Sequence, residues 1–403
     1  MQNPEPNQPE SDPDLGIRLA FLQVILITCL FFFNFGSRLI PGPFLVHIEQ
    51  EFSVSHAQAG GLFFILSLGI SLALLLSGFV ASRLQHKKTI LVSALGSGFF
   101  MILASWSPSL TLLKLCLFLQ GLSLGLYLPS AISTITSLLP PNLWGRGLAT
   151  HELAPNSSFI FIPALAAAVE NLLSWREVFA LFGLSTLAMA LFFAWKIQGG
   201  RFPGQSPNLG VVKELVSKAQ FWALIGIFCL AVGTIFGTYS MLPLYLVEEH
   251  QFSTKWANQL LSLSRVPCLG MALAAGLIIE RIGAARTILW GLACTGTATL
   301  LLGLLSGKPL QAAVLIQPMF AVCLFPANFT AISSVFRSKI RNVAISFIIP
   351  VATVLGTGMM PAIMGWFGDQ GHFPLGFTLL GLLAFPAMAL VRFINFAKPA
   401  PPP

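Results

Sequence analysis

Twelve stretches of this chain are long and apolar enough to cross a lipid bilayer, and that feature removes most folds from consideration. A helical span needs about 20 mainly apolar residues at 1.5 Å rise each. The runs that qualify are 17–47 (broken by Pro41-Gly42-Pro43), 57–81, 89–107, 110–138, 144–169, 176–196, 219–247, 255–279, 286–305, 309–335, 342–367 and 374–396. The bilayer core offers no water to backbone amides, so runs of this kind satisfy their hydrogen bonds internally, as helices. The expected fold class is an all-α membrane protein with twelve transmembrane helices.

Lysine and arginine orient such a chain. With the N-terminus in the cytoplasm, 16 of the 22 basic residues fall in inside loops and 4 (Lys114, Arg176, Lys255, Lys308) outside; Arg38 and Arg265 lie within spans. The imbalance places both termini in the cytoplasm, in a plasma membrane or bacterial inner membrane. Dispersed in this way, the net charge of +8 forms no nucleic-acid patch. The six cysteines all fall in apolar runs with no metal or disulfide spacing, and no phosphate-binding loop or nucleophile motif occurs. No cofactor and no enzymatic activity are therefore expected. Residues 1–16 and 398–403 read as polar or proline-rich tails.

The longest internal polar stretch, 198–218, divides the chain into halves at 17–197 and 219–397. The halves repeat. Gly78-x-x-x-Ser82-Arg83 recurs 198 residues later as Gly276-x-x-x-Glu280-Arg281. Gln120 and Pro129 recur 197 residues later as Gln317 and Pro326, and Arg146 and Pro155 recur 195 later as Arg341 and Pro350. Matches in order at nearly one offset imply a duplicated six-helix unit, an organisation common in transporters.

The loop Gly78-Phe-Val-Ala-Ser-Arg-Leu-Gln-His-Lys-Lys88 resembles the cytosolic signature G-x-x-x-D-R-x-G-R-K/R of the major facilitator superfamily. Gly276-Leu-Ile-Ile-Glu-Arg-Ile-Gly-Ala-Ala-Arg286 is the better copy, and Ser174-Trp-Arg-Glu-Val-Phe179 is similar to that family's opening of helix six. The resemblance covers nearly the whole apolar length. It implies two pseudo-symmetric six-helix bundles around a central cavity, alternating access, and cytosolic latches at Gly78, Arg83, Gly276, Glu280 and Arg281. There are departures. Ser82 stands for the aspartate and Gln85 for the glycine, and Leu117 sits where many proton-coupled members carry arginine. The fifth segment lacks the glycine-rich antiporter pattern.

Charge inside an apolar span is costly and points to function. Arg38, with Asn34 one turn earlier, offers a planar fork suited to a carboxylate, unless it reaches to the interface or to helix-end carbonyls. Arg265 sits mid-span. The second half's carboxylates (Glu214, Glu248, Glu249, Glu280, Asp369) all fall at or outside segment ends, so a mobile anion is its expected partner. His151 and Glu152 point about 100° apart. They read either as proton-coupling groups or as anchors of the neighbouring loop, pairing with Arg146. Asn156 lies one turn beyond Glu152. Tyr127, Tyr239 and Asn328 are weaker candidates, since such residues commonly bond between helices. The expectation is a monomeric, proton-coupled carrier of a small organic anion, its partners being that substrate, protons and the bilayer. Proton-driven export of hydrophobic or cationic compounds, or a non-transporting sensor, remain as alternatives.

Overall fold

The structure is a computed structural model that describes residues 13–204, 210–336 and 338–396. The expected C-terminal tail, positions 1–12 of the N-terminal tail and positions 205–209 of the linker lie outside the described residues. Among those described are twelve spanning helices: α1 (Gly16–Leu39), α2 (His56–Leu84), α3 (His86–Ser105), α4 (Leu110–Leu138), α5 (Pro141–Val169), α6 (Trp175–Lys196), α7 (Ala219–Glu248), α8 (Thr254–Ile282), α9 (Ala284–Leu304), α10 (Gly307–Val335), α11 (Val343–Asp369) and α12 (Phe373–Phe393).

The helix leading into α1 begins at Pro13, so residues 13–16 are helical rather than tail. The first segment does not run to 47. Prolines 41 and 43 cannot donate backbone hydrogen bonds and push their predecessors from helical geometry, so the helix stops at Leu39 and a short helix, Leu45–Phe52, follows a turn. Part of the linker is also helical, Gly210–Val216.

Duplication is visible in individual contacts. The Gln120 Nε2 donates to the Ser37 carbonyl (3.5 Å), and the Gln317 Nε2 donates to the Thr234 carbonyl (2.8 Å), both 83 residues back. A β-carbon on Gly98 would lie 2.8 Å from the Gly183 oxygen, and one on Gly296 2.9 Å from the Gly381 oxygen. The same backbone-to-backbone packing thus joins α3 to α6 and α9 to α12. Ser55 caps α2 and Ser253 caps α8, each accepting from a backbone N–H three residues on. Gly121 and Gly125 pack against the α2 backbone, where β-carbons would lie 2.3 and 2.2 Å from the Leu66 and Ile70 oxygens.

At the end carrying most of the basic loops, the linker folds onto the α2–α3 loop. His86 N and Lys87 N donate to the Phe202 and Gly200 carbonyls, and Lys87 Nζ caps the end of α6 at Ala194 and Ile197. At the opposite, acidic end, where carboxylates outnumber basic residues, the halves are sealed together. Asp369 of α11 accepts from the backbone N–H groups of His56 (2.7 Å) and Ala57 (3.1 Å) at the start of α2, and Asn258 Nδ2 donates to the Pro43 carbonyl (3.1 Å). Deeper ties join Ser262 to the Ile160 carbonyl and Ser71 to the Pro350 carbonyl. Of the buried residues of α8 only Ala275 lies beyond Cys268, while Leu273 and Leu277 are exposed. The molecule is closed at its acidic end and splayed at its basic end.

Candidate functional site

Arg38 and Arg265 come from opposite halves and converge on one aromatic cluster. Arg38 ends α1 and turns inward: its Nη2 donates to Thr357 Oγ1 of α11 (2.8 Å) and its guanidinium lies 4.3 Å from the Phe236 ring centre. Arg265, 6% exposed, lies 4.7 Å from the Phe159 ring centre and 5.3 Å from that of Tyr239; its Nη2 donates to the Ile235 carbonyl (3.4 Å). Phe35, Phe159 and Phe236 contact one another, with centroids 5.3–6.0 Å apart, and so fill the space between the two guanidinium groups.

Neither arginine has a carboxylate partner. Ion pairs among the described residues are His56–Glu49, Arg176–Glu51 and Lys218–Glu214, at helix ends or in connections. The Nε of both arginines, the Tyr239 hydroxyl and the Thr238 hydroxyl are buried without a protein hydrogen-bond partner. Cation–π contact with a desolvated ring is worth about 2 kcal/mol, less than the several kcal/mol that burying an unpaired charge costs. An anion placed here would remove the difference.

A cavity of about 100 Å³ opens beside Arg38, lined by Asn34, Phe35, Tyr127, Ile349 and Thr353 among others. Of the expected ligands, Asn34, Arg38 and Tyr127 line it, whereas Arg265, Asn156, Tyr239 and Asn328 do not. Asn34 donates to Ser93 (3.2 Å). Asn156 donates to its own helix at Glu152 O, and Asn328 to Leu324 O, so each commits one amide N–H to its own backbone. A larger surface depression of about 280 Å³ at the acidic end, between His47, Glu170 and Trp175, contains neither arginine.

His151 and Glu152 part company. His151 is buried and stacked on Phe31 (4.3 Å) and Tyr127 (5.9 Å), behind the cavity wall. The Tyr127 hydroxyl donates to the Ile27 carbonyl (2.8 Å), so it accepts from His151 Nε2 at 3.3 Å. Glu152 is exposed. It shares a helical face with Phe159, two turns on, and stands about 10 Å nearer the splayed end. Neither forms an ion pair with Arg146, whose guanidinium rests on Phe21 instead (5.7 Å).

The signature loops form no ion pair with each other among the described residues: Arg83, Glu280 and Arg281 are exposed, and a β-carbon on Gly276 would meet nothing within 4 Å. Gly78 lies in α2, and the α2–α3 loop that follows it binds the linker.

The residues that the sequence reading missed are the arginines' neighbours: Thr357, the Ile235 carbonyl, Phe35, Phe159 and Phe236. With 35 phenylalanines in the chain, no sequence signal separates these rings from those facing lipid.

A duplicated twelve-helix bundle with the two halves closed over a central polar cluster defines a membrane carrier. A profile of the Major Facilitator Superfamily matches residues 27–348, and the chain belongs to that superfamily of transporters. It is 22% identical to the gallate transporter of Pseudomonas putida, over 93% of this chain and 92% of that one. It is 25% identical to the 3-(3-hydroxy-phenyl)propionate transporter of Escherichia coli (strain K12), but spans only about half of that relative, 51%. Among solved structures it superposes with a TM-score of 0.79 on a bacterial homolog of the human lysosomal transporter Spinster, in its inward-facing and occupied conformation, at 16% identity over 97% of this chain and 100% of the other.

Proposed function

We propose that this protein is a secondary active transporter of a small organic anion, a carboxylate, working by proton-coupled alternating access. The observation that carries the reading is the pair of arginines, one from each half, held among aromatic rings with unused donors and no carboxylate. Two relatives named for aromatic carboxylates support it. A guanidinium in the cavity wall repels cationic cargo, which weighs against export of cations.

In this reading the splayed basic end faces the cytoplasm, supported by the excess of lysine and arginine there, and the anion enters from it to reach the cavity beside Arg38. Its oxygens take hydrogen bonds from Arg38 and Arg265, while the aromatic cluster packs on its apolar body. Neutralising both charges lets the halves close behind it and part at the acidic end, the rocking of one six-helix half against the other. Glu152, exposed on the same face of α5, exchanges the coupling proton, and His151 links that helix to the cavity wall through Tyr127.

Proteoliposome uptake of labelled gallate and 3-(3-hydroxyphenyl)propionate, with and without a proton gradient, tests this directly. Uptake of at least one acid is expected to rise with the gradient and to fall roughly thirtyfold or more in Arg38→Ala and in Arg265→Ala, the scale of losing a partner to a buried charge. Glu152→Gln is expected to abolish the gradient effect alone. Transport unchanged in both arginine variants would end the anion reading.

A further inference from the structure

Among the described residues, two stretches leave α-helical winding for the wider π-helix: Gly233–Gly237 in α7 and Thr353–Met359 in α11. They face each other backbone to backbone. A β-carbon on Gly356 would lie 2.7 Å from the Gly233 nitrogen and 2.8 Å from the Cys229 oxygen, and one on Gly237 would lie 3.2 Å from the Gly356 oxygen. Such turns are rare, and they concentrate at functional positions. Both arginines end on this pair of turns. Arg38 donates to Thr357 of one and lies over Phe236 of the other, and Arg265 donates to the Ile235 carbonyl.

We propose that Thr357 and the Ile235 carbonyl are placeholders for the oxygens of the substrate: they hold the two guanidinium groups when no anion does, and the anion, by taking both, frees the two π-helical turns and loosens the seam at the acidic end. This deepens the anion reading above and rests on it. The exchange is favourable because both placeholders are neutral and the bond to Ile235 is long, whereas a carboxylate accepts charge-assisted, forked bonds about twice as strong. The route to the seam is short. Thr357 lies on α11, and the same helix ends at Asp369, which caps α2 in the other half. Gly60, Gly358 and Gly365 let α2 and α11 touch between those points; a β-carbon on Gly365 would lie 2.2 Å from the His56 oxygen. A freed Arg38 that must find water or an anion therefore acts on the helix that closes the seam. Thr357 is a positioning residue, working through Arg38.

Hydrogen–deuterium exchange on the purified full-length protein separates the parts of this claim. In Thr357→Val, which keeps the side-chain shape and removes the acceptor, amides of residues 56–63 and 361–369 are expected to exchange about tenfold faster, the scale of one lost hydrogen bond to a charged group. Residues 110–125 of α4 are expected to be unaffected. Thr357→Ser, which restores the acceptor, is expected to behave as wild type, and gallate added to wild type to reproduce the valine pattern. Seam exchange unchanged in Thr357→Val overturns the proposal, and so does faster exchange throughout α4, which marks a packing defect. If Thr357→Val loosens the seam while gallate and 3-(3-hydroxyphenyl)propionate leave wild type unaltered, the hold on Arg38 stands and the anion reading falls.

Discussion

A single backbone angle explains one departure from the family signature. Gln85, where the signature has glycine, ends α2 at φ 71°, ψ 157°, and its counterpart Gly283 ends α8 at φ 83°, ψ 157°. This region is essentially open to glycine alone and costs other residues 1–3 kcal/mol. The turn geometry is therefore kept in the first half despite the substitution, and the loop holds its shape through hydrogen bonds from His86 and Lys87 to the linker. Gln85→Gly is expected to stabilise the protein by about 1 kcal/mol after the larger backbone entropy of glycine is offset. The check is the thermal unfolding midpoint in detergent. A lower midpoint would mean that the glutamine side chain contributes more than its strained backbone costs.

Helices in this molecule meet through glycine, and the effect of adding a methyl group depends on which pair meets. At Gly356 a β-carbon would collide with the backbone of α7 at Gly233 and Cys229, and no side chain there can swing aside. Gly356→Ala is expected to destabilise by about 1–3 kcal/mol, the range for overpacking, and to lower the thermal midpoint. Gly276 has open space around it, so Gly276→Ala is expected to leave the midpoint unchanged or raise it slightly, as alanine favours helix. Transport lost in Gly276→Ala without loss of stability would assign that glycine to closure of the splayed end, where the two halves have yet to meet. Equal destabilisation by both changes would contradict the packing account.

Across the whole molecule, what distinguishes the two ends is the seam. Asp369 places a carboxylate on two N–H groups at the start of a helix from the other half, an arrangement worth about 0.3–1 kcal/mol at an exposed site. The ion pair of His56 with Glu49 (2.8 Å) holds the same helix start from its own half. Asp369→Asn keeps the size and one weaker acceptor but removes the charge. It is expected to enlarge the population open at the acidic end roughly two- to fivefold. Longer distances between spin labels at Gln50 and Gln370, in a background without native cysteines, are the readout. An unaltered distance distribution would show that the glycine seam alone holds that end.

The twelve spans, the duplication and the position of two arginines within spans were legible in the residues alone. Each has a direct physical signature: the bilayer demands unbroken apolar length, duplication leaves residues such as Gln120 and Gln317 at one offset, and charge stands out in an apolar run because it is costly there. Tertiary structure alone decided what those arginines touch. Arg38 meets Thr357 across 319 residues, and Arg265 rests on Phe159 from the other half. It also decided that His151 lies stacked behind the cavity while Glu152 is exposed, and that α7 and α11 each take a π-helical stretch where they meet. Those outcomes depend on how each helix is rotated and tilted against its neighbours. Small-residue packing and buried polar pairing set that rotation, and an apolar run records its length but not which side faces the cavity.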